Sequence, residues 1–433
     1  MVCTVIRTHY ISEIGPEMDG REVTIAGWVH EVRETAKITF LIIRDSTGTA
    51  QVIGKEGESD QSTIKMLSLP KESVICVTGI VKASKEAKRG FEIIPKKIVD
   101  LNPLTAAIPF EVTGKVPADI DVRLNNRHID MRRKETLAIF KIESTVLNAF
   151  TSFFSKKGFI QIRTPSIISE ASEGGADLFS VRYFEREAYL AQSPQLYKQL
   201  AIIGGFDKVF MVVPVFRAEK SNTTYHTTEC TQMDIEIGFA DHKDAMKLLS
   251  ACFTYILKEV KKRNKTELES LGIELEIPKV KSVTYSTIIK RLREKGYAIE
   301  PGHDFSKEHE KAIQQEFGNA VIIKEYPTAV RAFYSMPNQS NPDLCNSFDL
   351  IYNGFEICSG AQRIHNADML TKALKEKGLD PAKFEFYINA FREGAPPHAG
   401  WSIGLERFVM CIAKCSNIRE TSLFPRDRKR LTP

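Results

Sequence analysis

Apolar and polar residues alternate along much of the first hundred residues of the chain. A period of two is typical of β-strands with one buried face, and it recurs in five segments, at residues 23–33, 38–45, 49–54, 74–83 and 91–101. Residues 60–69, between the third and fourth segments, instead carry apolar positions at helical spacing and end at Pro70. Five strands with a helix after the third predict an OB-fold β-barrel, although another small barrel would fit the same pattern.

The alternation ends after the fifth segment. Pro103, Pro109 and Pro117 interrupt a stretch that has neither a helical nor a strand period, which is typical of a linker. We therefore expect three regions, namely a barrel domain at residues 1–103, a linker or hinge at 104–120 and a larger domain at 121–433.

The larger domain opens with apolar residues spaced three or four apart over residues 134–157, which predict a long amphipathic helix ended by Gly158. Residues 158–168 then predict one strand bearing Pro165, whose missing N–H must face a sheet edge or an interface. Extended and helical segments alternate after that, so we expect a mixed domain whose strands need not be parallel. The extended segments are residues 209–216, 233–239, 348–351 and 355–359, and the helical ones are residues 243–264, 284–295, 306–317 and 366–378.

Composition and charge narrow the class of protein. Of the 433 residues, 42% are apolar and 27% are charged, as in ordinary folded proteins, and the net charge of +5 neither requires nor excludes a nucleic-acid partner. No run of about 18 apolar residues marks a membrane span, and Arg7, His9 and Glu13 stand where a signal peptide would be apolar. Eight cysteines without a Cys-x-x-Cys pair indicate neither a zinc ribbon nor a disulfide framework. We expect a cytosolic protein without a membrane partner.

Two short motifs carry the candidate chemistry. The first, FRAE at residues 216–219, places an arginine at a strand end, where it can grip a carboxylate or phosphate through two parallel hydrogen bonds. The second, GWSIGLER at residues 400–407, combines small residues with an arginine at the start of an apolar helix, where phosphate can approach. Each motif alone fits a structural ion pair equally well. The nucleotide-binding patterns GxGxxG and GxxxxGK[ST] are both absent from the sequence.

Together these motifs resemble motifs two and three of the class II aminoacyl-tRNA synthetases, and GFIQIRTPSII resembles motif one. The segments GWVHEVR, SEGGADLF, YLAQSPQLYKQ, FRAEKSNTTYH, GFEICSGAQRIH and LFPRDRKRLTP resemble the aspartyl-tRNA synthetases of archaeal and eukaryotic type over essentially the whole chain. The resemblance implies an anticodon-binding OB-fold domain followed by an α+β catalytic domain built on an antiparallel sheet. It also implies a homodimer that uses ATP and Mg²⁺ to attach L-aspartate to tRNA(Asp), with tRNA(Asn) as a second candidate, through an aspartyl-adenylate.

The resemblance assigns roles to matching positions in this sequence. The substrate aspartate would be bound by Glu173, Gln195, Lys198, Arg217, Asp234, Ser359 and Arg363. ATP would be bound by Arg217, Glu219, Tyr225, His226, Glu356, Gly404 and Arg407. Arg217 and Arg407 would be catalytic, and Glu356 with Ser359 would hold Mg²⁺. The anticodon would be read by His30, Phe40, Gln51 and Glu92, and the alternative for Phe40 is a place in the barrel core.

Three departures from the family pattern bear on the ATP site. Cys230 stands where the family usually has a phenylalanine that stacks on adenine, Tyr225 where many members have arginine, and Ser402 where motif three usually has glycine. The alternatives within the class are an asparaginyl- or lysyl-tRNA synthetase, and outside it a paralogue with altered catalysis. The pair Lys198 and Arg363 favours aspartate, because a neutral amide would leave buried positive charge unpaired. A further position, His30, stands where some strictly discriminating members have tryptophan, which favours charging of both tRNAs.

Overall fold

A computed structural model describes residues 6–35, 38–55, 61–169, 178–220 and 222–433. It divides into two compact units, Met1–Arg133 and Lys134–Pro433. The division falls beyond the predicted start of the larger domain at residue 121, because two short helices that follow the linker are grouped with the first unit.

The first unit contains a closed five-stranded barrel with strands in the order β1-β2-β3-β5-β4, as the alternation predicts. Its strands are β1 (Glu22–Glu34), β2 (Ile38–Arg44), β3 (Thr49–Lys55), β4 (Val74–Ala83) and β5 (Phe91–Asn102). Its helices are α1 (Gln61–Leu67), which follows the third strand as expected, α2 (Ile120–Asn125) and α3 (Arg127–Asp130).

Alternate residues of these strands fill the barrel interior. Val23, Ile25 and Val29 of β1 point inward and are buried together with Leu41 of β2. The two strands approach closely at Gly27, where an added Cβ would lie 2.1 Å from the carbonyl oxygen of Arg44. The intervening residues face outward, so the barrel presents an outer surface of polar and aromatic side chains.

The second unit is built on an eight-stranded sheet with the order β12-β13-β14-β15-β16-β11-β10-β6. Neighbouring strands are antiparallel except for the outermost pairs at each end, β12 with β13 and β10 with β6, which are parallel. A separate three-stranded sheet has the order β7-β9-β8. The strands are β6 (Ile160–Gln161), β7 (Ile167–Ile168), β8 (Ser180–Tyr183), β9 (Arg186–Leu190), β10 (Lys208–Phe216), β11 (Glu229–Gly238), β12 (Lys281–Thr284), β13 (Ala320–Lys324), β14 (Ser347–Tyr352), β15 (Phe355–Gln362) and β16 (His398–Gly404).

The prediction of one strand through Pro165 is wrong. The segment forms two short strands in different sheets, β6 beside β10 and β7 beside β9. The Ile162 N–H still donates to the Phe210 carbonyl (3.0 Å), whereas beyond Pro165 the Ser166 carbonyl accepts from the Ala191 N–H (2.9 Å). Proline has no N–H to continue a ladder, and it restricts the preceding residue, so the chain changes sheets there.

Helices lie on both faces of the large sheet, and the face that carries the largest hydrophobic cluster is its core face. The helices are α4 (Lys134–Lys156), α5 (Gln195–Ile203), α6 (His242–Arg263), α7 (Lys265–Ser270), α8 (Tyr285–Glu294), α9 (Lys307–Phe317), α10 (Ala367–Glu376), α11 (Glu385–Arg392) and α12 (Leu405–Ala413), and those packed on the central strands are α4, α6 and α12. The predicted first helix ends where expected, at Gly158 with φ +76°. By length and composition α4 could cross a membrane, but Ile142, Val146 and Phe150 are fully buried in the protein core, which identifies it as a core helix.

Candidate active site and anticodon surface

Opposite the core face, the central strands carry a line of polar residues. Across four neighbouring strands the register pairs Asp234 with Ser402, Ser402 with Ser359, and Ser359 with Asp349. The residues on either side of each, such as Ile235 and Trp401, are buried in the hydrophobic core. Because successive side chains of a strand point to opposite faces, the four polar residues share one face of the sheet. This polar row is the floor of the candidate active site.

At one end of the row lies a buried cluster of two cations and two carboxylates. The Lys198 ammonium is 2.6 Å from Asp234 Oδ1 and 3.4 Å from Glu236 Oε2. The Arg363 guanidinium donates to both oxygens of Glu236, at 2.9 and 3.2 Å. All four residues are at most 3% exposed. Room for Glu236 comes from Gly400, where an added Cβ would lie 2.1 Å from Glu236 Oε2.

This cluster has a net charge of zero when all four groups are ionised. Burial alone would raise the pKa of Glu236, but Arg363 and then Lys198 hold it below its usual value. Removing either cation would leave a carboxylate without its partner in a buried site, which costs about 3 to 5 kcal/mol. The cluster therefore keeps two positive groups fixed beside the polar row.

Polar side chains behind the cluster fix the start of α5. The Gln195 amide donates to Gln199 Oε1 (2.8 Å), which also accepts from the Tyr387 hydroxyl (2.9 Å). The Gln199 amide lies 2.9 Å from His398 Nε2, and His398 Nδ1 lies 2.8 Å from the Pro396 carbonyl. Burial lowers the pKa of His398, so the ring is neutral, donates from Nδ1 and accepts at Nε2. Gln195 is thus held with its carbonyl oxygen left for a ligand.

A cleft over the other end of the row collects the predicted ATP-binding residues. Its lining includes Arg217, Glu219, Tyr225, His226, Glu356, Ser359, Gly404 and Arg407. The Arg217 side chain is exposed to the cleft, and no other residue in the described ranges accepts a hydrogen bond from its guanidinium or forms an ion pair with it. An unpaired cation in a cleft is suited to bind an anionic substrate.

Two further predicted ATP residues are held in place, Arg407 by backbone carbonyls and His226 by a hydroxyl group. The Arg407 guanidinium, in the first turn of α12, donates to the carbonyls of Glu356 (2.9 Å) and Tyr225 (3.4 Å). His226 Nδ1 lies 2.8 Å from the Thr223 hydroxyl. Burial, followed by the nearby Arg407 charge, lowers the pKa of His226, so its ring is neutral near pH 7. Arg407 therefore joins the strand and the loop that form two walls of the cleft.

The C-terminal segment braces the loop that follows Arg217. The Arg419 guanidinium donates to the Thr223 carbonyl (2.9 Å) and to Asn222, and it pairs with Asp427 (2.5 Å). The Thr228 N–H donates to the Arg426 carbonyl (2.8 Å). The loop is thus fixed by the segment that carries the terminal LFPRDRKRLTP sequence.

Carboxylates at the far end of the row fit a magnesium ion. Burial, then the nearby Asp349 charge, raises the pKa of Glu356 to about 8. The Asp349 carboxylate accepts hydrogen bonds from both Nη atoms of Arg331, at 3.0 and 2.5 Å. Ser359 lies opposite Asp349 on the neighbouring strand. In the described parts of the chain no three His, Cys, Asp or Glu residues form a metal cluster. The carboxyl groups of Asp349 and Glu356 with the Ser359 hydroxyl suit Mg²⁺, which keeps several waters and binds substrate phosphates as well, and Glu356 would lose its proton when the cation binds.

The three departures from the family pattern all lie in this cleft. Cys230 lines it, and burial, followed by the Glu406 charge, raises the pKa of its thiol to about 12, so the thiol is neutral. Tyr225 forms part of the wall. The Ser402 hydroxyl donates to Asp234 Oδ2 (2.8 Å), so the residue that replaces glycine connects the cleft to the buried cluster.

Sequence reasoning missed Glu236 and Asp349 as members of the site. For Glu236 a signal exists, since it stands two residues after Asp234 in an apolar strand and must share its face. Asp349 gives no such signal, because only the register across β14, β15 and β16 brings it to the row. Of the predicted aspartate-binding residues, Glu173 lies outside the described residues.

The predicted anticodon residues lie on the outer surface of the barrel. Phe40 is half-buried on the outward face of β2, opposite Ile53, while Leu41 beside it points into the core. Gln51 and Glu92 each precede one member of the parallel pair Val52 and Ile93, so they are neighbours on that outer surface. Glu92 is largely covered there. The alternative that Phe40 is a core residue does not fit its outward position.

His30 occupies a bulge in β1 where the register with β2 shifts. Its Nδ1 lies 2.8 Å from Arg44 Nη1, and Arg44 in turn donates to both oxygens of Glu72, at 3.0 and 2.9 Å. Burial, followed by the Arg44 charge, lowers the pKa of His30. Because an arginine can only donate, Nδ1 must accept, which leaves the Nε2–H of His30 as a donor.

Comparison with known proteins places the chain in a family. The family described as tRNA synthetases class II (D, K and N) matches residues 119–428, and the OB-fold nucleic acid binding domain matches residues 23–101. The Aspartate–tRNA(Asp/Asn) ligase of Methanocaldococcus jannaschii is 46% identical over 99% of this chain and 98% of its own. The protein of the same name from Methanococcus vannielii is 45% identical over the same shares.

Solved structures give the same grouping. Asparaginyl-tRNA synthetase from Pyrococcus horikoshii, complexed with asparaginyl-adenylate, has a TM-score of 0.94 and 33% identity, with coverage of 99% of this chain and 100% of its own. Aspartyl tRNA synthetase from Entamoeba histolytica has a TM-score of 0.87 and 34% identity, and the match covers 98% of this chain and 92% of its own. With its OB-fold barrel and its polar row on an antiparallel sheet, the chain belongs to the class II tRNA synthetases of the D, K and N group.

Proposed function

We propose that this chain attaches L-aspartate to tRNA(Asp) in the cytosol, through an aspartyl-adenylate made from ATP. The observation that carries the proposal is the fixed pair of buried cations, Lys198 and Arg363, beside a cleft in which Arg217 has no ion-pair partner among the described residues. A substrate with a second carboxylate can use both cations. The names of three relatives that are 43% to 46% identical to this chain support the same choice.

The proposed first step needs no protein nucleophile. An oxygen of the aspartate α-carboxylate attacks the α-phosphorus of ATP, the bond from that phosphorus to the bridging oxygen breaks, and pyrophosphate leaves with the electron pair. Arg217 would bind the α-carboxylate and the α-phosphate, and stabilise the charge that develops between them. Arg407 would face the γ-phosphate. Catalysis then rests on positioning and charge stabilisation.

The aspartate would lie across the polar row. Asp234 and Gln195 would bind its ammonium, together with the predicted Glu173, and Lys198 with Arg363 would bind its side-chain carboxylate.

In the second step a hydroxyl of the terminal adenosine of tRNA attacks the acyl carbon, and AMP leaves. Glu356, Asp349 and Ser359 would hold Mg²⁺, which neutralises phosphate charge when bound.

Asparagine is the main competing substrate, because the structural neighbour with the TM-score of 0.94 is an asparaginyl-tRNA synthetase. Overall fold does not separate the two activities, whereas the hydrogen-bond donors of the pocket do. A carboxylate oxygen accepts charge-assisted hydrogen bonds from Lys198 and Arg363, whereas an amide would accept weaker ones and would bring its own N–H donors toward the two cations. The pocket therefore favours aspartate.

We infer that tRNA(Asn) is a second tRNA substrate. The support is the donor at His30 Nε2 on the barrel surface and the name Aspartate–tRNA(Asp/Asn) ligase carried by the relatives. Charging of purified tRNA(Asp) and tRNA(Asn) transcripts with labelled aspartate tests the whole proposal. Aspartate on both is the expected result. Charging of tRNA(Asp) alone would contradict the inference about tRNA(Asn), and charging of neither would contradict the function.

Replacement of Phe40 by alanine is expected to weaken tRNA charging without affecting adenylate formation. Loss of a stacking platform for a single-stranded base costs about 1 to 3 kcal/mol, so kcat/KM for tRNA should fall roughly 5- to 150-fold. Tyr10→Ala, which removes another exposed aromatic ring of the same unit, is the matched control. An equal fall in aspartate-dependent pyrophosphate exchange would instead mean that Phe40 acts through the fold.

We also infer that the chain forms a homodimer through α4 and the strands β6, β7, β8 and β9. Large apolar side chains are exposed there, namely Ile160, Ile167, Tyr183 and Phe184. Such a patch is typical of a surface that a second subunit covers. Analytical ultracentrifugation at micromolar concentration should give twice the chain mass of 48.8 kDa. A stable species of the single-chain mass would count against the dimer.

A further inference from the structure

One cation beside the ATP cleft belongs to none of the family motifs. Lys307 opens α9, and its ammonium lies 3.9 Å from the centre of the Phe355 ring and 5.2 Å from that of Tyr225, a residue of the cleft wall. It forms a short ion pair with Glu310 one turn later. Aromatic faces attract a cation and define its direction of approach, so the ammonium is oriented at the edge of the cleft.

The stability of helix α9 does not explain why a lysine stands at its first position. The N-terminus of a helix carries partial positive charge, which disfavours a cation in the first turn. The ion pair with Glu310 offsets this cost, and Glu310 is itself nearly buried and accepts from the Glu356 N–H (3.3 Å). Lys307 is therefore fixed beside Glu356, the predicted magnesium ligand.

The surrounding charges indicate what Lys307 would bind. Its side chain is 22% exposed, and burial, with a contribution from the like charge of Arg407, lowers its pKa although Glu310 acts to raise it. The Lys307 ammonium faces the ring of Tyr225, which lines the cleft, so its charge lies within reach of the cleft. Two neighbouring cations that repel each other are stabilised by an anion carrying more than one negative charge, such as a polyphosphate.

We propose that Lys307 is a further phosphate-binding residue of the adenylation reaction, and that its ammonium moves from Glu310 to the pyrophosphate part of ATP. The inference rests on the proposed function, since it assigns Lys307 to the leaving group of that reaction. As the bond between the α-phosphorus and the bridging oxygen breaks, negative charge grows on the pyrophosphate, and Lys307 stabilises that charge without any covalent step. Glu310 pairs with the ammonium before ATP arrives and competes with the phosphate for it, while the rings of Phe355 and Tyr225 position the ammonium.

Calorimetric titration with pyrophosphate and with ATP, in the absence of aspartate, tests the proposal directly. Lys307→Met should weaken the binding of both by about 10- to 100-fold, as expected for loss of a hydrogen bond between charged groups. Lys311→Met, an exposed lysine one turn along the same helix, should leave both affinities unchanged. In exchange assays the KM for ATP and for pyrophosphate should rise, while the KM for aspartate stays the same.

A second variant separates this role from a structural one. Glu310→Gln removes the competing carboxylate and keeps the ammonium between the two rings, so pyrophosphate should bind equally well or more tightly. If the ion pair served only to hold α9, this variant would weaken binding as Lys307→Met does, which would overturn the proposal. Unchanged affinities in Lys307→Met would also overturn it. Pyrophosphate binding without any aspartate-dependent exchange in the unmodified chain would contradict the proposed function and leave the assignment of Lys307 testable by titration.

Discussion

Replacement of Lys198 by methionine is expected to lower kcat/KM for aspartate roughly 30- to 5,000-fold, the range that corresponds to loss of a buried charge partner worth about 2 to 5 kcal/mol. The ammonium lies within 2.6 Å of Asp234 and 3.4 Å of Glu236, and it would bind the side-chain carboxylate of the substrate. Methionine has similar length and no charge. The affinity for ATP should be unchanged, because the cleft residues keep their contacts.

Stability must be measured alongside activity for this variant. Loss of one member of a buried ion pair also lowers the free energy of unfolding by about 3 to 5 kcal/mol, so thermal unfolding should show a lower Tm. Assays are therefore run at a temperature where circular dichroism shows the variant folded. Lys208→Met, an exposed lysine at the start of the neighbouring strand β10, is the control. A folded Lys198→Met enzyme with unchanged kcat/KM for aspartate would contradict the assigned role.

Replacement of Arg217 by methionine should change the stability of the protein little and lower the rate of the reaction strongly. Replacement of Lys198, by contrast, should lower both. The Arg217 guanidinium has no partner among the described residues, so removal should change the free energy of unfolding by no more than about 0.5 kcal/mol. A charge donor to the transition state is worth roughly 10²- to 10³-fold in kcat. Aspartate-dependent pyrophosphate exchange under saturating substrates measures the loss.

Arg217→Lys tests the geometry of the same contact. Lysine keeps the charge but cannot donate two parallel hydrogen bonds, so it should recover only part of the lost rate. Full activity in either the lysine or the methionine variant would mean that another group stabilises the α-phosphate. A large fall in Tm would show that Arg217 has a structural partner in the free protein.

Local pattern was sufficient to predict the barrel elements and several elements of the larger unit, but it missed others, such as α5, α11 and β13, and it did not predict how the strands pair. The five barrel strands follow from alternation, and α4 follows from helical spacing ended by Gly158, because these signals depend only on neighbouring positions. A proline such as Pro165 is compatible with one strand at the edge of a sheet and with two short strands in different sheets. The sequence does not distinguish these two structures. The choice between them depends on the hydrogen bonds of Ile162 and Ser166 to distant strands.

In the candidate site, too, residues that belong to sequence motifs could be predicted, whereas residues brought together by strand pairing could not. Motif resemblance predicted the residues that line the cleft, whereas the polar row exists only because the register brings Asp234, Ser402, Ser359 and Asp349 together. Their positions in the chain give no indication of that line. Lys307 and Glu310 are also invisible to motif reasoning, since α9 reaches Glu356 only through the tertiary fold.

The buried cations Lys198 and Arg363 are expected to select aspartate over other amino acids. Pyrophosphate exchange of the purified chain, with aspartate, asparagine or lysine as the only amino acid, measures this selection. We expect rapid exchange with aspartate, and with asparagine a kcat/KM lower by at least about 100-fold, because the neutral amide forms no ion pair with Lys198 or Arg363. Exchange driven by asparagine or lysine as efficiently as by aspartate would contradict this selection.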